Sequence, residues 1–202
     1  MKKLITTSMM VVLASGAYAA DVNPYASAKL NLGSAKMVSE MGPLTAKGDS
    51  AMIYGGSVAA GASVGLNDMF AVRVEAEAGL NYSKMGSGMG FDANVMNPTI
   101  GGNVYLDWKA TKEITPYVGA GLAYGFVGTK MADVDDSYDW SNQGGMNYNF
   151  GLGVAYAMNK NLSVDLGARY VNQIVDEEDL GFVTTKVYME SYVVSLGARY
   201  AF

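Results

Sequence analysis

Between residues 148 and 158 every second side chain is large and apolar, and those in between are small or polar. The even positions are Tyr148, Phe150, Leu152, Val154, Tyr156 and Met158; the odd ones are Asn149, Gly151, Gly153, Ala155 and Ala157. A period of two marks a β-strand with two unlike faces, because successive side chains point to opposite sides of a sheet. The same alternation runs through 26–32, 58–66, 70–82, 100–108, 116–126, 162–170 and 192–202. Eight such segments predict an all-β fold.

The connections decide which one. Three are short: Asn67-Asp68 with Met69, then Ala110 to Ile114, then Asn159-Lys160-Asn161. Four are long, at 35–50, 84–94, 128–145 and 173–184. Short turns alternating with long polar loops is the layout of an eight-stranded antiparallel up-and-down transmembrane β-barrel. The segments also match the ~9–11 residues that a tilted membrane strand needs. The chain is 50 % hydrophobic, and its 25 glycines in 202 residues lie well above the usual ~7 %. The longest apolar stretch after the N-terminus, 118–128, is too short and glycine-rich for a spanning helix.

Charge placement separates a membrane barrel from a soluble sandwich, whose strands alternate too. The apolar parity carries no charged residue in any of the eight segments. The opposite parity carries Lys29, Arg73, Arg169 and Arg199 against Glu75, Glu77, Asp107 and Asp165. Four against four is neutral, as a narrow lumen requires, since an unpaired buried charge costs several kcal/mol. An interior polar network of these eight residues is expected, with catalysis by Glu75 and Glu77 the less favoured use. Aromatics cluster at both ends of the apolar parity, as in two interfacial girdles: Phe70, Trp108, Tyr156, Tyr200 and Phe202 at one, Tyr82, Tyr124, Phe126, Tyr148, Phe150, Tyr170 and Tyr192 at the other.

The first twenty residues read as a cleaved secretory signal peptide: Lys2 and Lys3, an apolar run through Leu13, then Ala17-Tyr18-Ala19. A barrel domain is expected over 21–202. Without Lys2 and Lys3 the chain carries 12 basic residues against 19 acidic, a net charge of −7. That balance argues against nucleic acid, which needs a basic surface. There is no cysteine, hence no disulfide, and no histidine.

"TPYVGAGLAYGF" at 115–126 and the closing "VVSLGARYAF" at 193–202, together with the signal and the eight strands, resemble the opacity family of OmpA-like outer-membrane barrels of Gram-negative bacteria. The resemblance implies export through the periplasm with the help of its chaperones. It also implies insertion into outer-membrane lipid by the barrel-assembly machinery, which reads the last strand. Val194, Leu196, Tyr200 and Phe202 fit that C-terminal assembly signal. No peptidoglycan-binding domain is expected after Phe202. Gly-Ala-Arg-Tyr occurs at 167–170 and again at 197–200, which a pattern shared by neighbouring strands explains.

Three functions compete: a structural barrel displaying four loops as a surface antigen or interaction protein, a small porin or narrow conduit, and an outer-membrane enzyme. The missing histidine removes Ser-His and Asp-His proton shuttles, so no enzyme is expected. Eight strands leave an interior that side chains just fill, which favours the first over the second. No cofactor or metal is expected. The acidic loops 132–140 and 175–181 read as solvated tips, the first with calcium as the less favoured alternative. Partners are therefore lipid, the assembly apparatus during biogenesis and an extracellular or host ligand through the loops, with the barrel a monomer.

Overall fold

The computed structural model describes residues 22–42, 44–86, 92–131, 144–179 and 184–202. The expected signal peptide, the stretch 87–91, the acidic stretch 132–140 expected as a loop and residues 180–183 lie outside the described residues. Ten strand segments follow one another: β1 (Val22–Met41), β2 (Leu44–Lys47), β3 (Ala51–Gly65), β4 (Phe70–Gly86), β5 (Asp92–Trp108), β6 (Ile114–Phe126), β7 (Gly128–Met131), β8 (Gly144–Ala157), β9 (Leu162–Asp179) and β10 (Thr184–Ala201). β2 and β3 are consecutive pieces of one barrel strand, both pairing with β1. β6 and β7 are likewise two pieces of one strand along β5. Eight antiparallel strands result, each paired with its chain neighbours, and β10 closes on β1 from Tyr25↔Ala201 to Met41↔Thr185. The closed ring removes the free edges that an open sheet would leave in lipid.

The short turns are held by side chains that the sequence supplies at those points. Asn67 Oδ1 accepts the N–H groups of Met69 and Phe70 at 2.8 Å, and Asn159 Oδ1 accepts those of Asn161 and Leu162 at 2.9 Å. Thr111 Oγ1 does the same for Glu113 and Ile114. Such Asx and Ser/Thr turns reverse the chain without needing a long loop.

The strands outrun the sequence expectation at the opposite end. Most of 35–50, expected as a loop, is a hairpin in which Val38–Met41 of β1 pairs with β2. Strand pairing also covers 84–86 with 92–94, 128–131, and 174–179 with 184–188. One irregularity falls between Val187 and Tyr188, where the β9–β10 register shifts. The described parts of the four long connections are thus largely ordered extensions of the barrel wall.

The two parities face opposite ways. Leu30, Ile100, Leu122, Leu152, Leu166 and Leu196 point outward and are more than half exposed, with Leu30 at 71 %. On the other parity Glu75 is 2 % exposed and Arg73 3 %. A protein that buries its ions and bares its leucines is inside out with respect to water, as a lipid-embedded barrel must be.

Candidate functional site in the barrel lumen

The lumen is built in tiers. Nearest the short turns, Arg73 Nε lies 2.9 and 2.7 Å from the two oxygens of Asp107. Its guanidinium sits over the rings of Tyr105 and Tyr117, 4.5 and 4.8 Å from their centroids, where the ring quadrupole favours a cation. The Tyr117 hydroxyl donates to Asp165 at 2.5 Å, and Arg199 approaches the other Asp165 oxygen at 3.7 Å while donating to Ser163.

In the next tier Glu75 accepts from Lys29 Nζ at 2.8 Å, and from the hydroxyls of Tyr25 and Tyr105 at 2.9 Å each. Lys29 also reaches Glu77 at 2.8 Å, and Glu77 accepts from Arg169 Nη1 at 2.8 Å. The structure therefore brings all eight charged residues singled out above into ion pairs: Lys29 with Glu75 and Glu77, Arg169 with Glu77, Arg73 with Asp107, Arg199 with Asp165. Lys29 and Glu77 tie three of the eight strands, β1, β4 and β9, across the lumen.

Above the ions lies a tier of amides and hydroxyls. Asn149 donates to Asn103, Ser195 to Asn31, and Asn97 to Gln173 at 2.8 Å. Two small cavities of about 60 and 50 Å³ lie among these side chains. Nearest the long-loop end the lumen turns apolar: Ala35, Ile53 and Met189 form a buried cluster with Met37 packed against it.

Tyr25, Tyr105 and Tyr117 are the residues that sequence reasoning passed over. Tyr105 and Tyr117 lie on the charged parity, so a search for polar groups rather than charges on that face would have found them. Tyr25 fell just outside the first segment, Asn97 fell between the loop expected at 84–94 and the strand expected at 100–108, and Gln173 fell within a stretch taken for a loop. Two glycines make the room these side chains need. A Cβ at Gly119 would overlap the Tyr105 ring, and one at Gly125 would lie 2.6 Å from Gln173 Nε2.

Ten residues of tilted strand starting near Pro24 and Phe202 end near Ser34 and Tyr192, so the next polar cluster lies beyond the lipid. There Lys36 pairs with Glu190 at 2.8 Å and the Tyr188 hydroxyl donates to Glu40 at 2.7 Å. The Lys36 hydrogen bond holds the Glu190 carboxyl below the usual range, and Glu40 pushes the Tyr188 phenol up to about 12. Along β10 Val194, Leu196, Tyr200 and Phe202 all face outward, the last two at the opposite rim. Phe202 is 75 % exposed, its ring edge-on to Tyr200 with centroids 5.5 Å apart. The Phe202 N–H donates to the Pro24 carbonyl across the β1–β10 closure.

Residues 5–202 match the family model of the outer membrane protein beta-barrel domain. Among solved structures, the neisserial surface protein A (NspA) superposes with a TM-score of 0.53 at 22 % identity, covering 89 % of this chain and 97 % of that one. OprG from Pseudomonas aeruginosa gives 0.48 at 16 % identity, over 90 % and 95 % of the two chains. The outer membrane enzyme PagL gives 0.45 at 16 % identity, over 81 % and 97 %. No curated protein sequence matches. With the family match spanning nearly the whole chain and the closed eight-stranded ring beneath it, the protein belongs to the outer membrane protein beta-barrel domain family and is an OmpA-like barrel of the outer membrane.

Proposed function

We propose that the protein is a structural barrel closed to ions that presents its long-loop end outside the cell as an antigen or interaction surface. The observation that carries this reading is the lumen: ions paired across it, phenols packed between them and an apolar cluster above. A hydrated pore would keep its charges on the wall facing water; here Glu75 is filled in from three sides by Lys29, Tyr25 and Tyr105. The strand extensions at the long-loop end add ordered, polar surface beyond the lipid. In this reading residues 1–20 direct export and are removed, and 21–202 fold as the barrel. Val194, Leu196, Tyr200 and Phe202 address it to the assembly machinery, and the barrel acts as a monomer with an extracellular ligand at its loops.

The test is planar-bilayer recording of the refolded barrel, with surface labelling of intact cells beside it. Little steady conductance is expected, together with antibody access to the long-loop end. A narrow conduit is the second reading. It draws on the amide tier, where Asn97 Oδ1 and Gln173 Nε2 lack protein partners beside the 50 Å³ cavity. A stable, single-sized conductance from the unmodified protein would put that reading first.

A further inference from the structure

The luminal cations are held tightly except at the short-turn mouth. Lys29, Arg73 and Arg169 each meet a carboxylate oxygen at 2.7–2.8 Å, whereas Arg199 comes no nearer to Asp165 than 3.7 Å. Competition accounts for the difference, because the other Asp165 oxygen accepts the Tyr117 hydroxyl at 2.5 Å. At 3.7 Å two charges attract without forming a hydrogen bond. Arg199 is left with weaker ties: its Nε–H donates to Ser163 at 3.3 Å, and its guanidinium carbon lies 5.5 Å from the centre of the Tyr25 ring. A guanidinium carries five N–H donors in a planar fork, so Arg199 keeps donors to spare.

The mouth gives access to them. A cavity of about 210 Å³ opens at the short-turn end, lined by Tyr25, Ser63, Thr115, Lys160, Ser163 and Arg199 among others. No aspartate or glutamate is among the described residues that line it. The turn that brings Lys160 to the rim is fixed in place. Asn159 Oδ1 accepts two N–H groups within it, Asn161 Nδ2 donates to the Ala201 carbonyl at 2.8 Å, and the Ala201 N–H donates to the Asn161 carbonyl at 2.7 Å. Ser163 accepts from Arg199 and so retains its own hydroxyl proton to donate. Two cations and three aliphatic hydroxyls thus share one cup.

We propose that this cup binds one small oxyanion, a carboxylate or a phosphate, on the Arg199 fork with Lys160 as the second cation. Both groups match the fork in geometry, and charge-assisted bonds of this kind are the stronger ones. The hydroxyls supply further donors to the remaining oxygens. In the orientation proposed above the cup opens to the periplasm, and its ligand is the anionic end of a periplasmic solute or polymer. Only that compartment rests on the proposed orientation; the binding itself does not.

The chain has three arginines, Arg73, Arg169 and Arg199, and all three face the lumen. Isotope labelling of arginine in the folded barrel, held in lipid nanodiscs, therefore gives three Nε–H signals by NMR, with Arg199→Gln identifying the one of interest. Sodium acetate and inorganic phosphate are titrated separately, each against sodium chloride at matched ionic strength. A saturable shift of the Arg199 signal is expected with the Arg169 signal unmoved. A response to acetate alone identifies a carboxylate site, and one to phosphate alone a phosphate site. Ser163→Asp sets a carboxylate beside Arg199 and should abolish the response, an unchanged Arg169 signal showing that the barrel is intact. Lys160→Gln should weaken binding roughly two- to fivefold. No saturable shift with either anion, an equal shift with chloride, or an undiminished response in Ser163→Asp overturns the proposal. A nanodisc leaves both ends of the barrel open, so binding is read whichever way the barrel points in the cell, and protease treatment of intact cells decides the orientation separately.

Discussion

Glu75→Ala removes the acceptor on which Lys29, Tyr25 and Tyr105 converge at 2.8–2.9 Å, in a tier where the carboxylate is 2 % exposed. Lys29 keeps Glu77 at 2.8 Å and is not orphaned, but Glu77 must then serve both Lys29 and Arg169. Two phenols also lose their partner, at about 1–3 kcal/mol for each group left unsatisfied. Breaking a buried ion pair by deleting one member costs about 3–5 kcal/mol, and the truncation should fall in that range. Glu75→Gln retains an acceptor oxygen for one phenol and should lose less, about 1–3 kcal/mol. Urea unfolding of the barrel in lipid vesicles reads both, with the fluorescence of Trp108, which faces lipid, as the probe. A Glu75→Ala barrel within about 0.5 kcal/mol of wild type, the scale of a surface substitution, would refute the reasoning. The carboxylate would then be solvated and the lumen wet, and the conduit reading would gain.

Leu166→Arg places a charge on the lipid face, where Leu166 lies opposite Leu196, and should cost about 2–4 kcal/mol in the same assay. Leu66→Arg, at the short-turn rim, should cost only about 0–1 kcal/mol. Trypsin applied to intact cells should leave Lys109, Lys112 and Lys160 uncut, since they lie at the short turns; cleavage at Lys160 would reverse the orientation. Deleting Phe202 should reduce outer-membrane yield more than refolding in detergent, and normal yield in cells would contradict an assembly role. Lys36 lowers the Glu190 carboxyl, so the pair's contribution is present above the ordinary carboxylate value near ~4.3 and fades as pH falls through the depressed one. Glu190→Gln should flatten that acid limb. The Tyr188 phenol, raised to about 12, acts at the other extreme: its contribution is complete below ~10 and fades as pH rises through 12, which ultraviolet titration of Tyr188→Phe against wild type would reveal.

Which way a side chain faces was legible because a period of two is a local property. Arg73, Glu75 and Glu77 share a parity in a single strand, and lipid outside with a narrow lumen inside enforces the difference between the faces. Where a strand leaves the lipid that enforcement stops. Residues 34–41 of β1, reading SAKMVSEM, carry apolar Ala35 and Met37 on the luminal parity and Ser34, Lys36 and Glu40 on the outer one, the reverse of the lipid-spanning pattern, so they looked like a loop while being strand. Partnership is harder still. Arg169 meets Glu77, 92 positions away, because the stagger between strands brings them to one height. Parity assigns a residue to the lumen and is silent about its level there. Tyr105 shows the same gap. Its place depends on the absence of a side chain at Gly119, its cross-strand neighbour, and a glycine on an inner face reads simply as a small residue until that register is known. A balanced count of four cations and four anions implied that the interior must pair them. The pairing itself, with Lys29 bridging two glutamates and Arg73 stacked on two tyrosines, is a property of stagger and ring packing that no single strand contains.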